Sequence, residues 1–243
     1  MNVSVVIPAR NEEKNLPRCL AALARQTYGD FELIVVDSAS TDGTGRVARD
    51  HGARVIRVEV PSVALARQVG FEAARGEIIA SMDADTIAPP DWLARLIAPL
   101  SDPQVVETVG GLVYEGQNLI PSIIDSVWQR TSHKLGLTTA TAANLAVRKT
   151  AFEQVGGFYL PNGDFPRGYP ELEAMWLGMK LRHVGKIVLL PRLRVITSPR
   201  RIKNPKMAYW WSLGYLRKAG RFGYWELTGR SLHIKDSAAG KTR

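Results

Sequence analysis

Cysteine is almost missing from the chain. Cys19 is the one instance among 243 residues, which excludes an internal disulfide and a cysteine-built metal cluster and suits a reducing compartment. Long apolar runs are missing as well: nowhere do about 18 apolar residues follow one another, the length that a bilayer-crossing helix requires. The first residues lack the charged and apolar regions of a signal peptide, and Val3 to Ile7 is too short to supply one. The first strand-to-helix turn, Pro8-Ala9-Arg10-Asn11-Glu12, contains no glycine, which argues against a dinucleotide-binding Rossmann loop and against a P-loop. No internal repeat or low-complexity stretch stands out. With 45% apolar and 23% charged residues, the composition suits one globular domain, with or without an appendage, and allows a large core.

Acidic residues are scarce at one end only. The net charge is +9, yet up to Pro191 there are 19 Lys/Arg against 21 Asp/Glu, and from Arg192 onward 13 against 2. All the excess positive charge therefore lies in the last 52 residues, an asymmetry that needs its own explanation.

Periodicity gives the organisation. Val3 to Ile7 reads as a strand stopped by Pro8. Ala9 to Glu13 opens a helix with Asn11 as its N-cap and Leu16, Leu20 and Leu23 along one face. Phe31 to Val36 is a second strand, ending in Asp37, and the small polar loop Ser38 to Thr44 leads into a helix to about Asp50. A strand over Arg54 to Val58 and a helix over Val63 to Arg75 precede a fourth strand, which begins near Glu77 and ends in Asp83-Ala84-Asp85. Further on, the pattern predicts helices around Trp92 to Leu100, Ile120 to Leu135 and Glu171 to His183. Strands are expected at Val105 to Tyr114, Ala142 to Arg148 and Lys186 to Leu190, with a turn at Gly156-Gly157-Phe158. Strands alternating with helices imply βαβ units, and so an α/β fold with a mostly parallel sheet.

The fourth strand concentrates the chemistry. An apolar run of that length is buried on both faces, and it ends in two carboxylates where open α/β sheets place their ligands. Uncompensated, the pair would repel and lose hydration, so a cation is the simplest way to keep both ionised. A divalent metal shared with a diphosphate meets that need; an isolated Asp-x-Asp equally suits an ordinary solvated turn. Glu12 follows the first strand and Asp37 ends the second, so these acids line one rim of the sheet. Asp37 is placed to accept hydrogen bonds from a ribose or base. Arg67 either offers a guanidinium to a phosphate or is a solvated helix residue.

Taken in order, these stretches resemble family 2 glycosyltransferases of the GT-A fold. The resemblance rests on Val5 to Glu12, Val35 to Thr44, Ala66-Arg67, Met82 to Asp85, Ala143 to Phe152, Val155 to Phe158, Gly185-Lys186-Ile187 and Thr197 to Arg201. It implies a Rossmann-like, mostly parallel sheet flanked by helices over 1–201, with a donor-nucleotide half at 1–100 and an acceptor half at 101–201. Pro8, Ala9, Arg10, Glu12, Asp37, Ser40 and Arg67 would hold a nucleotide-sugar donor, GDP- or UDP-linked. Asp83, Ala84 and Asp85 would reach the ribose and a divalent cofactor, Mn²⁺ or Mg²⁺, which neutralises the departing diphosphate. The reaction would invert the anomeric centre, with a general base opposite the leaving group. The family's acidic pair falls at Glu173-Ala174, so its second acid is absent here. That leaves Glu173 first, then Glu171 and Asp164, as candidates for the base; ordinary helix-start acids are the other reading. Asn144, Arg148, Arg200 and Arg201 are candidates for acceptor or phosphate contacts, and Asn144 and Arg148 read equally well as strand-end structure.

Residues 202–243 form a basic, aromatic segment. Three of the six tryptophans fall there, interleaved with cations. Met207, Trp210, Trp211, Leu213 and Tyr215 can form an apolar stripe beside Lys206, Arg217 and Lys218. A basic amphipathic helix over 203–227 suits an anionic membrane surface; packing on the catalytic domain is the alternative, and nucleic acid a third. The adopted reading is a hexosyltransferase, with mannose or glucose favoured, lying peripherally on the cytoplasmic face of a membrane. Its acceptor would be lipid phosphate or a glycolipid, with no nucleic-acid partner. Its rivals are a sugar nucleotidyltransferase and a nucleic-acid-binding protein.

Overall fold

The β-branched runs become one seven-stranded sheet in the computed structural model, which describes residues 2–116, 131, 142–159 and 173–200. The strands are β1 (Val3–Ala9), β2 (Phe31–Ser38), β3 (Arg54–Val58), β4 (Ile78–Ser81), β5 (Val105–Tyr114), β6 (Leu145–Arg148) and β7 (Lys186–Thr197). Their order is β3-β2-β1-β4-β6-β5-β7. All pairings are parallel except those of β6, which runs antiparallel to both β4 and β5. The chain leaves β1 toward β2 and β3, then returns to the other side of β1 as β4. The topological switch therefore lies between β1 and β4, where Glu12 and Asp83-Ala84-Asp85 emerge.

Helices cover both faces: α1 (Leu16–Leu23), α2 (Thr44–Asp50), α3 (Val63–Ala73), α4 (Trp92–Ile97), α5 (Lys149–Gln154) and α6 (Glu173–Leu181). β1 is buried along its whole length and sends alternate side chains to two cores. Val5 and Ile7 join Leu16, Leu20 and Leu23 of α1 with Trp92 and Leu96 of α4. Val6 joins Phe71, Phe152, Phe158 and Leu177 on the opposite face, where the three phenyl rings stand 5.1 to 5.5 Å apart. α3 lies tight on the sheet because position 70 has no side chain: a Cβ there would come within 2.4 Å of Val6 Cγ1.

Prolines explain most departures from the expected boundaries. β1 continues through Pro8 to Ala9. Val6 O already accepts from Met82 N on the β4 side, so the nitrogen of Pro8, two residues on, faces past the end of that pairing and costs no ladder bond. Asn11 is not the N-cap of α1. It sits at φ 53, with its Oδ1 accepting from Thr41 N at 2.8 Å, and the helix starts at Leu16 with proline in its first turn. Pro99 converts the end of the expected Trp92–Leu100 helix into a 3₁₀ turn, Ala98–Ser101. β7 is far longer than Lys186 to Leu190. The chain bulges at Pro191, with Gly110 opposite Leu190 but Gly111 opposite Arg194, and pairing then resumes to Thr197. The expected Ile120–Leu135 helix lies almost wholly outside the described residues, as do Asp164, Glu171, Arg201 and the whole of 203–227.

Candidate active site

The carboxyl ends of β1, β2 and β4 bring Glu12, Asp37, Asp83 and Asp85 to one rim. The loop after β1 is pinned to the loop after β2: Asn11 N donates to Ser40 Oγ at 3.0 Å and Glu12 N to Thr44 Oγ1 at 2.8 Å. Asp37 is 4% exposed and already organised. Its Oδ1 accepts from Ser40 N at 3.0 Å and its Oδ2 from Arg57 Nη1 at 2.9 Å. Pro8, Ala9 and Ser40 are buried beneath this rim, and Arg10 is exposed.

Arg67 is 3% exposed, so it is not the solvated helix residue that was one reading of it. From α3 its fork spans the site: Nη2 donates to Asp83 Oδ1, Nη1 to Glu173 Oε1, and Nε approaches Ser81 Oγ at 3.4 Å. A guanidinium is suited to this task because its donors diverge in one plane. Glu173, at the start of α6, is 0% exposed.

Asp85 belongs to a second cluster. Its Oδ2 accepts from Arg200 Nη2 at 2.7 Å, and the same nitrogen lies 2.6 Å from Glu12 Oε1. Asp85 Oδ1 receives Thr197 Oγ1 at 3.4 Å. Arg200 reaches the rim because the end of β7 is tied back to the aspartate loop through Ile87 N to Ile196 O at 2.7 Å and Ile196 N to Ile87 O at 3.0 Å. The negative potential here is felt below: burial first, then the charges of Asp85 and Asp83, push the Cys19 thiol far up. Among the described residues, no three His, Cys, Asp or Glu side chains group around a possible metal position. Glu12 and Asp85 nonetheless converge on a single cationic nitrogen, so the pair fits a divalent ion that would fill its remaining positions from phosphate oxygens and water, as Mg²⁺ commonly does.

Two candidates stand elsewhere. Arg148 is not at the rim: β6 is antiparallel, so Arg148 pairs with Ile78 at the opposite end of β4, and its Nη2 caps Leu100 O at 2.7 Å. Asn144 is 0% exposed and fully engaged. Its Oδ1 accepts from Trp92 Nε1 at 2.8 Å, and its Nδ2 donates to Gly111 O at 2.9 Å and Leu193 O at 3.0 Å. A Cβ at Gly110 would lie 2.1 Å from that Nδ2, so the glycine makes room for a structural staple, not for an acceptor contact. Sequence reasoning also missed Arg57 and Thr197. Arg57 stands directly opposite Asp37 in the β2–β3 register; a cation one position from the end of the next strand, where it can face the acid at the end of β2, was the available signal.

Residues 4–153 match the family model described as glycosyl transferase family 2. Glycosyltransferase AglE of Haloferax volcanii is 34% identical over 169 residues, covering 64% of this chain and 55% of that protein. An undecaprenyl-phosphate 4-deoxy-4-formamido-L-arabinose transferase of Pseudomonas fluorescens is 36% identical over 109 residues, 40% of this chain and 31% of that one. The chain thus spans little more than half, or less, of these relatives. Among solved structures, the mannosyltransferase PcManGT from Pyrobaculum calidifontis, in complex with GDP-Man and Mn²⁺, superposes with a TM-score of 0.62 at 22% identity, covering 81% of this chain and 56% of that one. The likeness is one of fold: a mixed, mostly parallel GT-A sheet flanked by helices.

Proposed function

The chain belongs to glycosyl transferase family 2, and from that premise we propose that it moves a hexosyl unit from a nucleotide sugar to a lipid-linked acceptor, with inversion. The observation that carries the reading is the convergence of Glu12 and Asp85 on one cation beside the organised carboxylate of Asp37. Asp37 and Ser40 bind the nucleoside, with Pro8 and Ala9 as the floor and Arg10 at the mouth. Asp83, oriented by Arg67, reaches the ribose, with Ala84 between the two aspartates. Glu12 and Asp85 hold Mn²⁺ or Mg²⁺, which when bound neutralises the charge of the departing diphosphate. The relative that acts on undecaprenyl phosphate and the mannosyltransferase bound to GDP-Man and Mn²⁺ support this donor and acceptor class.

Inversion requires a base that can take a proton from the acceptor hydroxyl. Glu173 is fully buried and its Oε1 is engaged by Arg67, which keeps the carboxyl out of reach of an acceptor hydroxyl. We therefore give Glu173 an orienting role and the base to Glu171 or Asp164, which precede α6. Titration with GDP and UDP, each with Mn²⁺ or Mg²⁺, tests the donor site; a folded protein that binds none of them in a metal-dependent way overturns it.

The domain limits follow the same reading: 1–201 catalytic, with donor half 1–100 and acceptor half 101–201, and 202–243 as the membrane-facing segment. Thirteen cations against two acids from Arg192 onward, with aromatics between them, support attachment to anionic lipid. Arg201 and Arg200 stand at its root as phosphate contacts. Flotation with phosphatidylglycerol vesicles should depend on 203–227; unchanged flotation after their removal sinks the peripheral-membrane part alone, and salt-sensitive RNA binding that survives loss of Asp83 and Asp85 would favour the nucleic-acid reading instead.

A further inference from the structure

Arg200 occupies the cation position of the rim. One nitrogen serves two carboxylates that arrive from different strands, at 2.6 Å to Glu12 Oε1 and 2.7 Å to Asp85 Oδ2. The two acids form the floor, with side chains 13% and 15% exposed, while the guanidinium stands at the mouth, 53% exposed. Behind it the chain is fixed: Thr197 O accepts from Glu115 N at 2.9 Å, and Ile196 is bridged to Ile87. Any movement of Arg200 therefore has its hinge at Ser198 and Pro199, beyond the last paired residue of β7.

We propose that Arg200 is a resident substitute for the divalent cation. It neutralises Glu12 and Asp85 while the donor site is empty, leaves when Mn²⁺ or Mg²⁺ enters with a nucleoside diphosphate, and then turns to the diphosphate oxygens. The inference rests on the donor-site reading of this rim. A guanidinium and a metal ion cannot share the same carboxylate oxygens at contact distance, because like charges there repel without intervening ligand. Metal alone must displace an ion pair and gains no partner for the freed arginine. Metal arriving with a diphosphate gives that arginine a bidentate anion. The exchange thus favours joint loading of metal and nucleotide over loading of metal alone, and it shifts the chain just ahead of the basic segment each time the donor site fills.

The full-length chain is titrated with MnCl₂, reading free Mn²⁺ by electron paramagnetic resonance, first alone and then with GDP or UDP present. Arg200→Ala and Arg200→Gln, each checked for an unchanged melting temperature, should bind Mn²⁺ alone about two- to fivefold more tightly than the parent, the scale of one exposed ion pair. Both should bind the Mn²⁺–nucleotide pair more weakly. Arg46→Ala is the control, since Arg46 pairs with Glu13 at 3.2 Å and removes the same charge from the neighbourhood without touching Glu12 or Asp85; its affinities should stay at parent values. An equal gain in Arg46→Ala, or no gain in the Arg200 variants while nucleotide binding persists, overturns the exchange and leaves the donor site standing. Absence of metal-dependent nucleotide binding in the parent overturns both.

Discussion

Arg67 and Glu173 meet inside the protein, Nη1 donating to Oε1 across 106 residues of chain. The contact joins α3 to α6, and through the other arm of the guanidinium it fixes Asp83. One buried cation thereby couples the aspartate loop after β4 to the start of α6.

Removing that cation takes an ion-pair partner from two carboxylates, one of them fully buried. Arg67→Ala is expected to cost about 3–5 kcal/mol of stability, the usual scale for breaking a buried pair. Lysine should not restore it, because one ammonium cannot fork to both acids. Chemical denaturation of the two variants measures this directly, and full rescue by Arg67→Lys would show that charge alone, without the fork, suffices.

Glu173→Gln separates an orienting residue from a base. If Glu173 acts through Arg67 and Asp83, the variant binds the Mn²⁺–nucleotide pair about tenfold more weakly, a loss of roughly one charge-assisted hydrogen bond. The acid limb of its kcat–pH profile remains. Loss of the acid limb with unaltered nucleotide affinity would instead make Glu173 the base.

Much of this was legible in the sequence, for reasons that particular residues make plain. β1, β2 and β4 are rich in β-branched residues, and an acid stands within three residues of each carboxyl end, so both the strands and the rim could be read from the chain alone. Glu173 could be located by counting back from Gly185, but its partner could not: Arg67 lies 106 positions away, and no spacing rule links them. The two readings of Arg148 could not be separated because the sequence does not state that β6 is antiparallel, and the direction of a strand decides which of its ends faces the site. Those of Asn144 could not be separated because a polar residue beside the rim looks the same whether it faces a ligand or staples β5, β7 and α4.

Asn144 should therefore fail by stability, not by affinity. Asn144→Ala removes the partners of Trp92 Nε1, Gly111 O and Leu193 O, and each buried group left unsatisfied costs about 1–3 kcal/mol. The expected result is a melting temperature lowered by many degrees with donor KM unchanged at temperatures where the variant is folded. A raised KM with an unchanged melting temperature would return Asn144 to the substrate.

Glu107 gives the fold a pH dependence unrelated to the site. On β5 it is 0% exposed, and among the described residues neither carboxylate oxygen has a hydrogen-bond partner. Burial pushes its carboxyl up from 4.5 to about 8. With the folded value above the unfolded one, the folded state holds a proton that the unfolded state has released, so stability falls as pH rises. The contribution is fully present below about 4.5, declines through the interval, and is gone above about 8. The slope is at most about 1.4 kcal/mol per pH unit. Glu107→Gln removes the titration while keeping the shape. Urea denaturation at intervals from pH 5 to pH 9 should show the parent losing stability relative to the variant up to about pH 8 and running parallel to it beyond. A difference that stays constant across the whole range would mean that Glu107 is ionised in the folded protein, held by a cation.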